Sequence, residues 1–409
     1  MDIKMNSSPL PEKRKIRFPP SIREQYFSIF SKPEPEMIHP ELYKQIIDYG
    51  TDIILEQIKK FNDERRKFIK DLEEKIEIKE AKFDEDLAKN ILIVSSDAGN
   101  NGVDLRSAFA PLYAAVAIAV KGWEIIDEPI TRAGKPELWA GFYKPRERES
   151  MLAMKTQFEV TLEAVEKWNP NMVVFDGPLV LHYGLMPPKG EAPNEYWRDF
   201  KETTLSCVRL LRTCLEREIP IVGFVKRTRM SKLIEIFGRE NAAFKIRDTA
   251  ILDLILRRGQ YTFLEGELKG GVVNQYREAC EKLGFSKDES LKITSFHSAY
   301  IRTGLTTPYR LELPEYCLNK LEVIASVLYT TSEEDGIPFA ICEVDKLSKI
   351  TNTISNIRSL MLFSKALDLV KNGELSPEDL NLLALQHGEV WSLREERYFQ
   401  DLQQLQGGT

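Results

Sequence analysis

At 409 residues, with 43% hydrophobic and 29% charged residues, the chain has the composition of a globular protein large enough for two or three domains. No apolar run approaches the ~20 residues that span a bilayer, and the opening stretch MDIKMNSSPLPEKRKIRFPPS lacks the apolar core of a secretory signal, so a cytoplasmic protein with no membrane segment is expected. A formal charge of −6 is not that of a strongly basic nucleic-acid binder, but basic residues concentrate locally in KRTRMSK (226–232) and PEKRKIR (11–17), and a local patch governs contact with phosphate more than the net sum does.

Residues 1–36 are rich in proline and polar groups and read as an arm. Residues 37–89 read as a helical extension: Ile46, Ile47, Ile53, Ile54, Ile58 and Phe61 are spaced as one helical face, suited to pairing with another subunit. An α/β domain is expected over 90–351. It begins with three strands, ILIVSSD, LYAAVAIAVKG (112–122) and WEIIDEPI (123–130), which would form an antiparallel meander. A helix over 148–168 follows, then the strand MVVFDGPLV, a long helix around YWRDFKETTLSCVRLLRTCLERE, and the strand IPIVGFVK. Shorter helices near SKLIEIFG and DTAILDLILRRG, the segments SFHSAYIRTG and PYRLELP, and a helix from Glu315 to about Thr331 extend the domain, and 352–409 reads as helical. Three strands, helix, strand, helix, strand is the order of a ribonuclease-H-like core, a mixed sheet with flanking helices.

Five scattered cysteines without a CxxC pair and four separated histidines argue against zinc and disulfide frameworks. A metal would have to be held mainly by oxygen. Asp97 and Asp176 are each expected to close an apolar strand and to be followed by a tight turn. Each alone reads as a turn residue. Together, from adjacent strands, they would repel each other when ionised, and their coexistence calls for a cation, Mg²⁺ or Mn²⁺. Glu159, on the edge of the apolar face of the 148–168 helix, is the third candidate, with Glu163 as its substitute one turn on. Lys226 closes the last core strand, where it could meet a scissile phosphate, and Arg227, Arg229 and Lys232 could follow a nucleic-acid backbone.

At these residues the sequence resembles the NurA nuclease family, whose members process DNA ends together with the hexameric HerA ATPase. The resemblance rests on SSDAGNNGVDL before YAAVAIAVKG, a helical glutamate followed by MVVFDGPLV, then IVGFVKRTRMSKLI, RDTAILDLIL and PYRLELP, over roughly 91–351. It implies a ribonuclease-H-like core and Mn²⁺-dependent hydrolysis of single- and double-stranded DNA with 5′-to-3′ exonuclease character. It also implies a homodimer docked on the ATPase, with metal-ligand roles for Asp97, Glu159 and Asp176. Near the C-terminal end the family writes a GYP turn and then a histidine. Here DGIPFAICEVDKLSKI puts Ile337 in place of the tyrosine and Asp345 at or near the histidine. Aspartate can ligate a hard divalent ion but cannot carry a proton near pH 7 as imidazole does. His297, in SFHSAYIR, is the nearby histidine that could replace it.

The leading expectation is a metal-dependent DNA nuclease in which Asp97, Glu159, Asp176 and Asp345 hold one or two Mn²⁺ ions and Lys226 helps neutralise the transition state. The rival of a different class is a dimeric adaptor that keeps the fold and the partner surface but cleaves weakly or not at all. A nuclease acting on RNA or in recombination is a third reading, because fold does not decide substrate.

Overall fold

The computed structural model describes residues 42, 44–45, 50–73, 75–105, 108–140, 143–188, 190–236, 246–268 and 270–376. The expected arm over 1–36 and the helical region beyond 376 lie outside the described residues. The chain forms two units, 1–66 and 67–409. Helix α1 (Gly50–Glu73) carries Ile53, Ile54, Ile58 and Phe61 of the expected face, with the three isoleucines exposed, while Ile46 and Ile47 lie outside the described residues.

The helical reading of 37–89 holds only in part, because the chain leaves the helix at Glu73 and forms strand β1 (Ile78–Glu80). Helix α2 (Glu85–Asn90) follows, capped by Asp84, whose carboxylate accepts from the Leu87 N–H at 2.8 Å. Strand β2 (Leu92–Asn100) opens the sheet proper, and β3 (Val103–Asp104) and β4 (Phe109–Ala110) make a small separate ribbon. Then come β5 (Tyr113–Lys121), β6 (Glu124–Ile125), β7 (Ile130–Ala133) and helix α3 (Pro145–Trp168). The single third strand expected over 123–130 is thus two short ones, both paired with β5. The break has a local cause. Asp127 accepts from the Glu128 N–H and binds Lys167 and the Trp168 indole, and Pro129 has no N–H to give the ladder.

Strand β8 (Met172–Asp176), helix α4 (Asn194–Glu216) and strand β9 (Ile221–Val225) follow as read from the sequence. The remainder comprises α5 (Lys232–Ile236), α6 (Asp248–Leu252), β10 (Gln260–Leu264), α7 (Gly271–Lys282), α8 (Lys287–Thr294), β11 (Phe296–Ile301) and β12 (Tyr309–Pro314). Helices α9 (Leu321–Thr330), α10 (Phe339–Ser348) and α11 (Asn352–Lys371) end the described chain. Among the described residues, no helix is long and apolar enough to cross a membrane.

Ten strands make one mixed sheet in the order β1-β10-β11-β12-β9-β8-β2-β5-β6, with β7 also on β5. Only β2, β8 and β9 run parallel, and each step between them needs a crossover, which α3 and α4 supply. Strands β8 and β9 are buried along their whole length, which is why they read as unbroken apolar runs. Ser96, on β2, bonds Thr161 of α3 through their hydroxyls, whereas Asp97 bonds Ser348 of α10. Successive side chains of a strand point to opposite faces, so α3 and α10 cover opposite faces of β2.

The five cysteines form no disulfide, and Cys207, Cys214, Cys280 and Cys317 are buried. Phe158 of α3 and Phe175 of β8 stack with ring centroids 4.9 Å apart, both without solvent exposure. Phe158→Ala should cost about 3–5 kcal/mol, a cavity cost that a urea unfolding titration would read as a lower midpoint at unchanged slope.

Candidate metal centre

Strand β2 pairs with β8 only as far as Ser96 opposite Phe175, while its other edge stays paired with β5 out to Asn100 opposite Tyr113. Asp97 therefore stands where two strands part, inside a strand and not at its end. Asp176, in contrast, ends β8 as expected, and Gly177 makes the turn with φ +110°, a conformation that favours glycine. The gap between the parting strands is closed from the α3 side by Gln157, whose side-chain amide donates to the carbonyls of Ser96 at 2.8 Å and Asp176 at 3.0 Å. On the other face, one carboxylate oxygen from each of Asp97, Asp176 and Asp345 lies within 4.8 Å of the others.

Helix α10 brings the third carboxylate. Asp345 and Ser348 are three residues apart on it, so both face β2, and the Ser348 hydroxyl donates to Asp97 Oδ2. Gly99 explains how the helix gets so close. A Cβ at this position would sit 2.2 Å from the Ser348 carbonyl oxygen and 3.0 Å from the Ile350 nitrogen. The glycine after Asp97 thus serves close packing rather than a turn.

Lys226, immediately after β9, sends its ammonium between two of the acids, 2.7 Å from Asp176 Oδ2 and 2.8 Å from Asp345 Oδ1. Side-chain exposure rises from 5% at Asp176 through 26% at Lys226 to 51% at Asp345, so the cluster opens to solvent on the α10 side. Burial, and then the neighbouring Asp97, push the Asp176 carboxyl up from 3.8 to about 7. Asp97 is raised too, by burial acting against the Ser348 hydrogen bond. Burial pulls Lys226 down, but Asp176 and Asp345 outweigh it and the ammonium is held well above its ordinary range.

A carboxyl whose pKa is raised on folding takes up a proton when the chain folds, so its effect on stability worsens as pH rises from 3.8 to about 7. In EDTA, the urea midpoint should carry a decline over this window that Asp176→Asn removes. An identical pH profile for the two proteins would contradict the raised pKa.

The other residues singled out in the sequence lie elsewhere. Glu159 is not brought to the cluster. Its carboxylate accepts from Arg132 at 2.9 Å and from the Ser206 hydroxyl at 3.3 Å, and Glu163 binds the same Arg132. The reason is parity: α3 lies on the face of β2 opposite the Asp97 side chain. His297 is also outside the cluster, bonded to Glu315. Arg227 and Arg229 are exposed beside Lys226, whereas the Lys232 ammonium is spent on the Gly266 carbonyl at 2.5 Å. Ser348 and Gln157 escaped the sequence reading. The first had a signal, the Asp-x-x-Ser spacing on a helix, while a lone glutamine has none.

The NurA domain family model matches residues 56–350. Among solved structures, the NurA nuclease from Sulfolobus solfataricus is 15% identical, with a TM-score of 0.59 over 83% of this chain and 100% of that one. A second NurA structure is 13% identical, with a TM-score of 0.51 over 80% of this chain and 98% of that one. A comparison with curated proteins gives no significant match. The fold is shared with NurA over 83% of this chain, and with the family model covering well over half of its length this chain belongs to the NurA family.

Proposed function

We propose that this protein is a divalent-metal-dependent DNA nuclease whose metal is held by Asp97, Asp176 and Asp345. The observation that carries the reading is the convergence of these three carboxylates beside Lys226 at the parting of two parallel strands. The donor set suits a hard cation. Three carboxylates and one ammonium leave two negative charges, which one Mn²⁺ or Mg²⁺ offsets, and all the donors are oxygen. The ion would supply polarisation of a phosphodiester oxygen and of water.

The chain's own groups divide the rest of the work. Asp176, buried, and Asp97, partly buried, are both raised in pKa and gain from any cation that lets both ionise. Lys226 is placed to neutralise a phosphate oxygen once it yields one of its carboxylate partners. Arg227 and Arg229, exposed on the same loop, suit contacts with the nucleic-acid backbone. Glu159 stays tied to Arg132, so a direct ligand role for it requires that pair to open.

The sheet order β6-β5-β2-β8-β9 supports a ribonuclease-H-like core, and the family suggests 5′-to-3′ exonuclease and single-strand endonuclease action in DNA end resection with a HerA-type ATPase. Exposed apolar residues on α1 (Ile53, Ile54, Ile58) and on α11 (Ile357, Leu360, Met361) support association as a homodimer. One observation favours the adaptor reading instead: Lys226 already bridges two of the acids and could take the place of the metal for good.

The deciding experiment is cleavage of 5′- and 3′-labelled single- and double-stranded DNA, with matched RNA, in Mn²⁺, Mg²⁺ and EDTA, wild type beside Asp97→Ala. Metal-dependent products lost in the variant are expected. No cleavage by the wild type, even with a HerA-type ATPase present, would leave the adaptor standing.

A further inference from the structure

The motifs RDTAILDLIL and PYRLELP supply no residue to the cluster, yet they place three buried charges beneath it: Asp248, Arg310 and Glu312, exposed by 0%, 7% and 2%. Glu312 on β12 lies opposite Gly223 on β9, which in turn lies opposite Phe175 on β8. A Cβ on Gly223 would fall 2.7 Å from the Gly177 carbonyl oxygen and 3.1 Å from the Leu179 nitrogen. The turn that follows Asp176 therefore rests on β9 at a residue without a side chain. Across that space Glu312 Oε2 accepts from the Leu179 N–H at 2.8 Å and the Val180 N–H at 3.1 Å.

The other oxygen of Glu312 binds Arg310 Nη1 at 2.6 Å, and this nitrogen also donates to the Met230 sulfur at 2.7 Å. Met230 belongs to the loop that begins at Lys226. Its carbonyl accepts from the Asp248 N–H at 2.9 Å, and the Asp248 carboxylate accepts from the N–H groups of Lys232 at 3.0 Å and Leu233 at 2.9 Å and from the Tyr300 hydroxyl at 2.8 Å. One carboxylate thus holds the turn after Asp176, another holds the loop after Lys226, and Arg310 reaches from the first to Met230 of that loop.

Stability does not account for this arrangement. A buried ion pair contributes little net stability compared with apolar packing of the same volume, and Arg310 Nε is buried without a hydrogen-bond partner. What the two carboxylates do accomplish is to satisfy backbone N–H groups in the two segments that must keep Asp176 and Lys226 within reach of each other. We infer that Glu312 and Asp248, linked by way of Arg310 and Met230, are positioning residues of the centre: they set the two loops that deliver Asp176 and Lys226, without touching metal or DNA. This rests on the metal-centre reading above, which it deepens.

The test compares two charge-free pairs. Arg310→Met with Glu312→Leu removes the ion pair and the acceptor, whereas Arg310→Met with Glu312→Gln removes the same charges but keeps an oxygen for Leu179 and Val180. Binding of Mn²⁺ is followed by the electron paramagnetic resonance signal of the free ion, and amide hydrogen exchange is read over 177–181 without metal. The leucine pair should stay folded, bind Mn²⁺ roughly 10-fold or more weakly than the glutamine pair, and show faster exchange at Leu179 and Val180.

Equal Mn²⁺ affinity in the two folded pairs would overturn the inference, as would unchanged exchange in the leucine pair. Should the leucine pair not fold, the glutamine pair decides: near-wild-type affinity and protection support the inference, and a tenfold loss despite the retained oxygen overturns it. Wild-type protein that takes up no Mn²⁺ counts against the metal-centre reading, and the exchange result alone then decides this one.

Discussion

Asp176→Asn should remove metal-dependent cleavage and at the same time make the metal-free protein more stable above pH 7. The two effects share one cause. Asp176 is 8% exposed and faces Asp97 across the parted strands, so keeping it ionised without a metal works against the fold, as its raised pKa of about 7 records. An amide of the same shape relieves that repulsion and can still meet the Lys226 ammonium through its oxygen. It also removes one negative charge from the donor set and puts a weaker neutral ligand where a carboxylate stood. Loss of a group that acts together with its neighbours usually costs orders of magnitude, so a fall in cleavage rate of roughly 10³-fold or more is expected. Cleavage in Mn²⁺ and urea unfolding in EDTA, both at pH 8, read the two halves. A variant that cleaves like the wild type would sink the assignment of Asp176, and one that is less stable than the wild type would sink the account of its charge.

Gly99→Ala should disable the centre without touching any charged group. The added methyl would lie 2.2 Å from the Ser348 carbonyl oxygen, and backbone cannot swing aside as the end of a side chain can. Either β2 bends or the C-terminal end of α10 moves off, and α10 carries both Asp345 and the Ser348 that bonds Asp97. Overpacking of this kind costs about 1–3 kcal/mol of stability. A shift of roughly 1 Å in a catalytic group can cost about 100-fold in rate, so activity should suffer more than the fold. Gly190→Ala is the control: an added Cβ there meets nothing within 4 Å, and only its positive φ is strained. The measurements are DNA cleavage, Mn²⁺ affinity and the melting temperature of both variants. Wild-type Mn²⁺ affinity in Gly99→Ala would show that α10 does not need this contact.

Much of this was legible in the chain because it depends on short-range pattern. The apolar runs before Asp97 and Asp176, the 3.6-residue spacing of α3 and α4, and the cluster beginning at Lys226 are properties of neighbours in sequence, and each appears where it was expected. The misreadings share a different origin. Glu159 lies on a helix that crosses between the right two strands, but sequence periodicity does not say which face of the sheet that helix covers. Lys232 counted as a free cation until folding placed the Gly266 carbonyl beside it. β1 read as helix because its three residues owe their strand to pairing with β10, more than 170 positions away.

The sequence by itself determined the helix, strand, helix, strand order from α3 to β9 and the place of Asp176 at the end of β8, because local propensity and hydrophobic periodicity carry that information. Tertiary structure alone decided that Glu159 pairs with Arg132 away from the three aspartates, that Gly99 is a packing surface rather than a turn, and that Glu312 holds the turn after Asp176. Each of those depends on which face of a strand a side chain occupies and on what distant segment packs there, and alternation along a strand sets the first without specifying the second.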